Sequence, residues 1–96
     1  MLFKVVFSDK ANETFESIDR QVQARFGEKE ANEFRKRVYK VADTISKFPL
    51  IFQTVGNTGN VRKAFIHKNC LMFYRVDETY IEVLFFWDNR QDPIFL

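Results

Sequence analysis

Two consecutive stretches of the chain place an apolar residue at every third or fourth position, the pattern of a helix with one buried face. The first stretch runs from Lys10 to Phe26, and Ser8 or Asp9 offers a side-chain oxygen to cap its start. A single glycine separates it from the second stretch, from about Glu28 to Lys47, which a proline follows two residues later. Because the connection is so short, the two helices are expected to pack as an antiparallel hairpin.

The remaining apolar runs are short and rich in β-branched or aromatic residues, which is typical of strands. One precedes the helices, at Leu2 to Phe7, and three follow a loop rich in glycine and asparagine, at Val61 to Ile66, Cys70 to Val76 and Tyr80 to Trp87. Connections of three residues join the last three strands, so we expect an antiparallel meander. The predicted fold is α+β in the order β-α-α-β-β-β, a helical hairpin packed on a mainly antiparallel sheet.

The last predicted strand is apolar on both faces and then changes abruptly in character. Phe86 alternates with Phe85 and Trp87, so one of these two sets faces away from the helices. An apolar sheet face without a layer of its own indicates a surface that a partner covers. Directly after this strand the sequence DNRQDP begins at Asp88, and its proline cannot continue a strand.

Length and composition narrow the possible classes of protein. The 96 residues predict a single domain, residues 1–96, and 46% hydrophobic residues, with twelve phenylalanines, are enough to close a core. A net charge of +2 gives no argument for a nucleic-acid partner. No stretch has the pattern of a membrane span or a signal peptide, so we expect a cytoplasmic protein without a membrane partner. The single cysteine, Cys70, is expected to be a small apolar strand residue rather than a nucleophile.

A run of basic residues lies on the second predicted helix, from Arg35 to Lys40. Three glutamates precede the run by about one turn and can pair with it. We interpret the run as a solvated helix face and not as a nucleic-acid footprint.

Four stretches carry motifs that occur together, in this order, in one family of proteins. FSDKANETFESI is similar to the family's first strand running into its first helix, and FGEKEANEF to the start of its second helix. FPLIF carries the proline that follows the second helix. VRKAFIHKNCLMFYRVDETYIEVLFFWDNRQDP has an arginine opening the second strand, a tyrosine near the end of the third and an Arg-x-Asp-Pro ending. This set resembles the RelE/ParE superfamily, the toxins of type II toxin–antitoxin modules, and its ending resembles the ParE or plasmid stabilisation branch.

The resemblance implies two alternative activities, because this superfamily supports more than one chemistry. ParE-like toxins inhibit growth by binding DNA gyrase, have no agreed catalytic residues, and form oligomers with the cognate antitoxin that neutralises them. RelE-like toxins cleave mRNA on the ribosome through attack of the ribose 2′-hydroxyl on the neighbouring phosphate. That reaction needs a general base, a general acid and cations. A non-toxic binding module of the same fold is a third possibility.

The sequence meets the requirements of the RelE branch only in part. Arg62 and Arg90 match arginines of that branch, and His67, in a predicted hairpin turn, is the only histidine. Leu71 stands where RelE-type enzymes carry an arginine, three residues before Tyr74, and the chain ends in PIFL without their C-terminal tyrosine. We therefore expect a ParE-like protein that binds rather than cleaves. In the nuclease alternative, catalysis would depend on Arg62, His67 and Arg90.

The site residues that the resemblance implies form two groups, and neither group needs a cofactor or a metal ion. We expect the target, gyrase or alternatively the ribosome and mRNA, to contact polar residues at the strand ends: Arg62, Arg75, Asp88, Asn89, Arg90 and Asp92. We expect the antitoxin to contact the apolar last strand at Phe85, Phe86 and Trp87. In a purely structural interpretation, Arg90 and Asp92 form an exposed ion pair, which would contribute about 0–1 kcal/mol.

Overall fold

The computed structural model describes residues 2–57 and 59–90, which fold into two helices packed on a four-stranded mixed sheet. The elements follow the predicted order β-α-α-β-β-β, with small differences at some of their ends. They are β1 (Lys4–Phe7), α1 (Asp9–Phe26), α2 (Glu28–Lys47), β2 (Val61–His67), β3 (Cys70–Val76) and β4 (Tyr80–Asp88). Neither helix in this part of the chain is long and apolar enough to cross a membrane.

A single glycine both ends α1 and precedes α2. Gly27 has a φ of 92°, which side chains with a Cβ rarely adopt. Its N–H donates to the carbonyl of Gln23, and its own carbonyl accepts from the N–H of Ala31. At the other end of α1, the Oγ of Ser8 accepts a hydrogen bond from the N–H of Ala11 at 3.0 Å. Of the two predicted capping residues, the serine is therefore the one that caps the helix.

An ion pair holds the two helices against each other. The Nε and Nη2 atoms of Arg35 donate to the two carboxylate oxygens of Asp19, at 2.9 and 3.0 Å. Its Nη1 donates to Asn32 and Glu28 on its own helix. The basic run on α2 is therefore partly structural, because this arginine links α2 to α1.

The sheet has the strand order β1-β4-β3-β2. β1 runs parallel to β4, and the other two pairs are antiparallel, as the meander requires. A parallel pair needs a long crossover connection, and the helical hairpin provides it. One face of the sheet packs on the helices and forms with them a core that includes Ile45, Met72, Tyr74, Ile81 and Phe86.

A β-bulge in β4 decides which of its side chains face the helices. Consecutive residues of β3 pair with Val83 and Phe85, so Leu84 is an extra residue on β4. Val83 and Phe86 consequently both face the core although they are three residues apart, and they are 0% and 1% exposed. The ring of Phe86 lies 5.6 Å from that of Phe15 on α1, measured between ring centroids.

Candidate functional site

The polar end of β4 borders a cavity of about 540 Å³ between the helices and the β2–β3 hairpin. Its wall combines aromatic side chains with side chains of both charges. The lining residues are Val22, Phe26, Glu30, Glu33, Phe34, Arg37, Phe65, His67, Lys68, Asn69 and Arg90. Two residues of the nuclease alternative, His67 and Arg90, therefore lie at one cavity.

A buried ion pair lies at the wall of this cavity. Arg90 donates from Nη2 to one carboxylate oxygen of Asp88 at 2.8 Å and from Nε to the other at 3.1 Å. The backbone N–H of Arg90 adds a third hydrogen bond to this carboxylate, at 2.9 Å. The Asp88 side chain is 3% exposed and that of Arg90 is 23% exposed, so water is largely excluded from the pair. The guanidinium carbon of Arg90 also lies 6.0 Å from the centre of the Phe26 ring, a cation–π contact with α1.

Both members of the pair are charged at neutral pH. Burial raises the pKa of Asp88, but the hydrogen bonds from the side chain and backbone of Arg90 outweigh it, and the net effect lowers the pKa. The side-chain hydrogen bond with Asp88 raises the pKa of Arg90. Within the described residues the partner of Arg90 is thus Asp88, a buried carboxylate. The predictions that concern Asp92 lie outside the described residues.

His67 is the last residue of β2, so its predicted place in the hairpin turn is wrong. The imidazole is half-buried, its Nδ1 accepts the N–H of Asn69 at 3.2 Å, and it meets the Phe34 ring edge-on at 6.1 Å between centroids. Burial, followed by the charges of Arg37 and Arg90, lowers its pKa. His67 is therefore neutral at pH 7 with its proton on Nε2. In this tautomer neither ring nitrogen has a free lone pair with which to act as a general base.

Arg37 is a cavity residue that the sequence interpretation did not single out. Its Nη1 donates to the backbone carbonyl of Ile66 at 3.4 Å, which brings the side chain from α2 to the edge of β2. A signal for this position was present, since Arg37 lies three residues after Phe34 and directly before Val38, both of which are buried. A long side chain at the border of an apolar helix face reaches across the core edge to the neighbouring element.

The other two arginines of the predicted target contact lie near the opposite end of the sheet. The Nη1 of Arg62 donates to the carbonyls of Leu50 and Phe52, in the loop between α2 and β2. Arg75 forms a partly exposed ion pair with Glu82 on the neighbouring strand, at 2.7 Å. The nuclease triad is therefore not brought together, because the length of β2 separates Arg62 from the cavity.

The remaining groups near the cavity contribute to the structure of the sheet. The N–H of Asn89 donates to the carbonyl of Asn69 at 2.7 Å and extends the pairing of β3 with β4. Cys70 is 1% exposed, as expected for a small strand residue, and burial raises the pKa of its thiol to about 12. The thiol is thus not a nucleophile at neutral pH. Among residues 2–57 and 59–90, no group of three His, Cys, Asp or Glu side chains is placed to hold a metal ion.

The three aromatic residues predicted to contact an antitoxin are divided between the two faces of the sheet. Phe86 belongs to the helical core and offers no surface to a partner. Phe85 and Trp87 alternate with it and are half-buried on the opposite face, where Phe85 stacks on Phe73 with 4.7 Å between ring centroids. We call this opposite side of the sheet the outer face. Of the three predicted residues, it presents Phe85 and Trp87.

Comparison with solved structures shows which known proteins share this fold. The fold is similar to that of the chromosomal ParDE TA system from P. aeruginosa, with a TM-score of 0.75 at 12% identity over 91% of this chain and 96% of that chain. It is also similar to the E. coli DinJ–YafQ toxin–antitoxin complex, with a TM-score of 0.66 at 8% identity over 94% and 96% of the two chains. The YoeB dimer from Staphylococcus aureus gives 0.63 at 14% identity over 88% and 94%.

At these identities the structural likeness establishes the fold alone, and the family follows from the sequence. No curated protein matches the sequence. Residues 5–93 match the family described as the ParE toxin of the type II toxin–antitoxin system parDE. Because this match spans nearly the whole chain, the protein belongs to the ParE toxin family of type II toxin–antitoxin systems.

Proposed function

We propose that this protein is a cytoplasmic toxin that inhibits growth by binding DNA gyrase and that a cognate antitoxin neutralises it. The observation that carries the proposal is the match of residues 5–93 to the ParE family. Gyrase is the target associated with the ParE branch of the superfamily, whereas the RelE branch acts on translating ribosomes.

The chemistry of the cavity favours binding over catalysis. Two of the groups that could move a proton or attack a substrate are held in other roles: the Nδ1 of His67 accepts a backbone N–H, and the Cys70 thiol is protonated. Arg90 is held in one orientation by Asp88. A fixed arginine beside aromatic side chains is typical of the residues that dominate binding energy in protein interfaces. Such a site is suited to an acidic or carbonyl group on the surface of a protein target.

We assign the main target contact to the rim of this cavity. Arg90 contributes from the end of β4 next to Asn89, and two exposed cations, Arg37 and Lys68, line the same cavity. The predicted contact through Asp88 is wrong, because its side chain is buried and holds Arg90 in place. The predicted contact through Asp92 lies outside the described residues and stays a prediction. Arg62 and Arg75 lie at the far ends of β2 and β3 from the cavity, so a target that reaches them must extend along the sheet by roughly 20 Å.

We assign the antitoxin contact to the outer face of the sheet. Phe85 and Trp87 lie there half-buried, and Phe85 stacks on Phe73 of the neighbouring strand. An apolar face of this kind is typical of a surface that another protein covers. The E. coli neighbour is described as a toxin–antitoxin complex, which supports an antitoxin as the partner and an oligomer formed through it.

A supercoiling assay with purified bacterial DNA gyrase tests the proposal. We expect the protein to inhibit supercoiling, and Arg37→Ala and Lys68→Ala each to raise the half-inhibitory concentration by about tenfold, the effect of losing one interface contact of about 1.4 kcal/mol. Both side chains are exposed, so neither change should lower the melting temperature. Lys36→Ala removes an exposed charge from the same helix outside the cavity and is the matched control. Absence of inhibition by the unmodified protein at micromolar concentration would contradict the proposal.

The convergence of His67 and Arg90 at one cavity is the observation that favours the alternative, a ribosome-dependent endoribonuclease. This function would require His67 to release the N–H of Asn69 or to transfer its Nε2 proton. Incubation of purified protein with translating ribosomes distinguishes the two functions. Cleavage of mRNA that is lost in His67→Ala would establish the nuclease, whereas intact mRNA is the result we expect.

A further inference from the structure

The loop between α2 and β2 exposes three large apolar side chains within four residues. Phe48, Leu50 and Ile51 are 61%, 64% and 58% exposed, and we call these three residues the apolar tip. Leu2, which is 65% exposed, lies beside it, because the N–H of Phe3 donates to the carbonyl of Ser46 at 2.9 Å near the end of α2. This concentration of exposed apolar groups lies near the start of β2, whereas the cavity lies near the end of that strand.

Buried side chains of the sheet hold the backbone of this loop in place. The hydroxyl of Tyr74, a residue with 0% exposure, donates to the carbonyl of Pro49 at 2.9 Å. Arg62 donates to the carbonyls of Leu50 and Phe52, and the ring of Phe52 meets Tyr74 edge-on, at 6.4 Å between centroids. Hydrogen bonds from the sheet thus hold the loop backbone at three carbonyls, while the apolar tip points into solvent.

Holding the loop in this way lowers the stability of the folded state, which indicates that the conformation of the loop matters. The Nε of Arg62 is buried and has no hydrogen-bond partner among the described residues. A buried polar atom without a partner destabilises the folded state. The tip itself contributes little to the core in return, because its three side chains are mainly in water.

Three properties of the tip select a folded protein as its partner. Its three side chains leave roughly 300 Å² of apolar surface in water, which is within the range of functional patches. A stable interface buries roughly 800 Å² per partner, so the tip alone is too small to hold two copies of the chain together. Lys47, directly before the tip, is paired with Asp43 at 3.1 Å, and Arg62 is turned toward carbonyls of the loop, so these two cations do not form the basic cluster that anionic lipid attracts. A preorganised backbone lowers the entropic cost of insertion into a pocket of fixed shape.

We propose that the apolar tip is a preformed anchor that inserts into an apolar pocket of the target protein, with Tyr74 and Arg62 as its positioning residues. This inference rests on the proposed function, in which the target is gyrase. It places a second contact at the far end of the sheet from the cavity rim. Arg62 then acts by holding the loop, which explains why this arginine is turned toward carbonyls of its own chain.

The test is the supercoiling assay with purified gyrase, applied to the double variant Leu50→Ser/Ile51→Ser. We expect its half-inhibitory concentration to rise at least tenfold while its melting temperature stays within about 2 °C of the parent, because neither side chain is buried. Tyr39→Ser is the matched control, since Tyr39 is 65% exposed on α2 outside the tip. Inhibition by the double variant at the parent's concentration would overturn the proposal, and so would an equal loss in Tyr39→Ser.

Tyr74→Phe tests the positioning role, because it removes only the buried hydroxyl and leaves the apolar tip unchanged. We expect weaker inhibition together with faster amide exchange of residues 50–52, whereas faster exchange with full inhibition would show that the fastening is merely structural. Binding of the parent but not of the double variant to phosphatidylglycerol vesicles, or a parent dimer that the double variant abolishes, would also overturn the proposal.

The experiments distinguish two cases: gyrase is not the target, or the apolar tip is not an anchor. If the parent does not inhibit gyrase, the same variants are compared for growth arrest on controlled expression. If only the tip and Tyr74 variants lose growth arrest, the apolar tip is an anchor for another target protein. If these variants arrest growth like the parent, the proposal of an anchor is rejected.

Discussion

Replacement of Arg90 by alanine leaves Asp88 buried without its cation. The variant loses the side-chain hydrogen bonds of 2.8 and 3.1 Å and keeps only the one from the backbone N–H. Breaking a fully buried ion pair costs about 3–5 kcal/mol, because one charge remains uncompensated. The Arg90 side chain is 23% exposed, so water replaces part of its contribution. We therefore expect a loss of about 2–3 kcal/mol in the free energy of unfolding at pH 7.

The pH dependence of this loss has a definite sign. In the parent protein the pKa of Asp88 is lowered below its ordinary value of 3.8, so its stabilising contribution is complete above pH 3.8 and is lost as the pH falls through the folded-state pKa. In Arg90→Ala the effect of burial remains and only the backbone N–H bond and the charge of His67 oppose it, so we expect the pKa of Asp88 to rise above that of the parent. The penalty in the variant is then full at pH 7 and is relieved as the pH falls through the raised pKa. The difference in stability between the two proteins must shrink on acidification.

Urea unfolding of both proteins at pH 7 and pH 4.5, followed by circular dichroism, measures this difference. Arg75→Ala is the control, because it breaks an exposed pair with Glu82 that is worth about 0–1 kcal/mol. A loss in Arg90→Ala no larger than in the control, or one that grows on acidification, would refute the assignment of a buried, charged pair at the cavity.

Four further results are expected. Phe86→Ala should lower the free energy of unfolding by about 3–5 kcal/mol in urea titrations, whereas Phe65→Ala, which truncates a 58% exposed ring, should change it by less than about 0.5 kcal/mol. Gly27→Ala should lower the free energy of unfolding by about 1–3 kcal/mol in the same assay, because a residue with a Cβ is strained at a φ of 92°. No atom lies within 4 Å of the added Cβ, so a smaller loss would show that the backbone readily adjusts. Cys70, with a pKa of about 12, should react with iodoacetamide at pH 8 far more slowly than it does in 6 M guanidinium, and equal rates would contradict its burial. The imidazole of His67, followed by NMR, should titrate below 6.5, and a midpoint above that value would contradict its desolvation beside two arginines.

The periodic parts of the fold follow from the sequence, because they depend on local patterns. The apolar spacing from Lys10 to Lys47 and the single intervening glycine determine the hairpin, and the three-residue connections determine the meander. The parallel position of β1 beside β4 is a long-range pairing without a local signal. The bulge at Leu84 is likewise invisible in the sequence, yet it decides that Phe86 rather than Phe85 joins the core.

The candidate site is less predictable because it is assembled from side chains distant in sequence. Arg90 and Asp88 are only two residues apart, but Phe26, whose ring Arg90 also contacts, comes from α1. The sequence places Arg37 at the border of an apolar helix face, but only the fold shows that the side chain reaches the end of β2. Arg62 matches a family arginine, and only the structure shows that it binds loop carbonyls.

Controlled expression in a bacterial host, with growth, DNA breaks and global translation recorded together, distinguishes gyrase from the ribosome as the target in the cell. Arg37→Ala is expressed in parallel, because we expect it to reduce target contact without unfolding the protein. We predict growth arrest with DNA damage while early translation continues, and weaker arrest in Arg37→Ala. Rapid translation arrest with cleaved mRNA and intact DNA would contradict this prediction and would give the cavity of His67 and Arg90 a catalytic role.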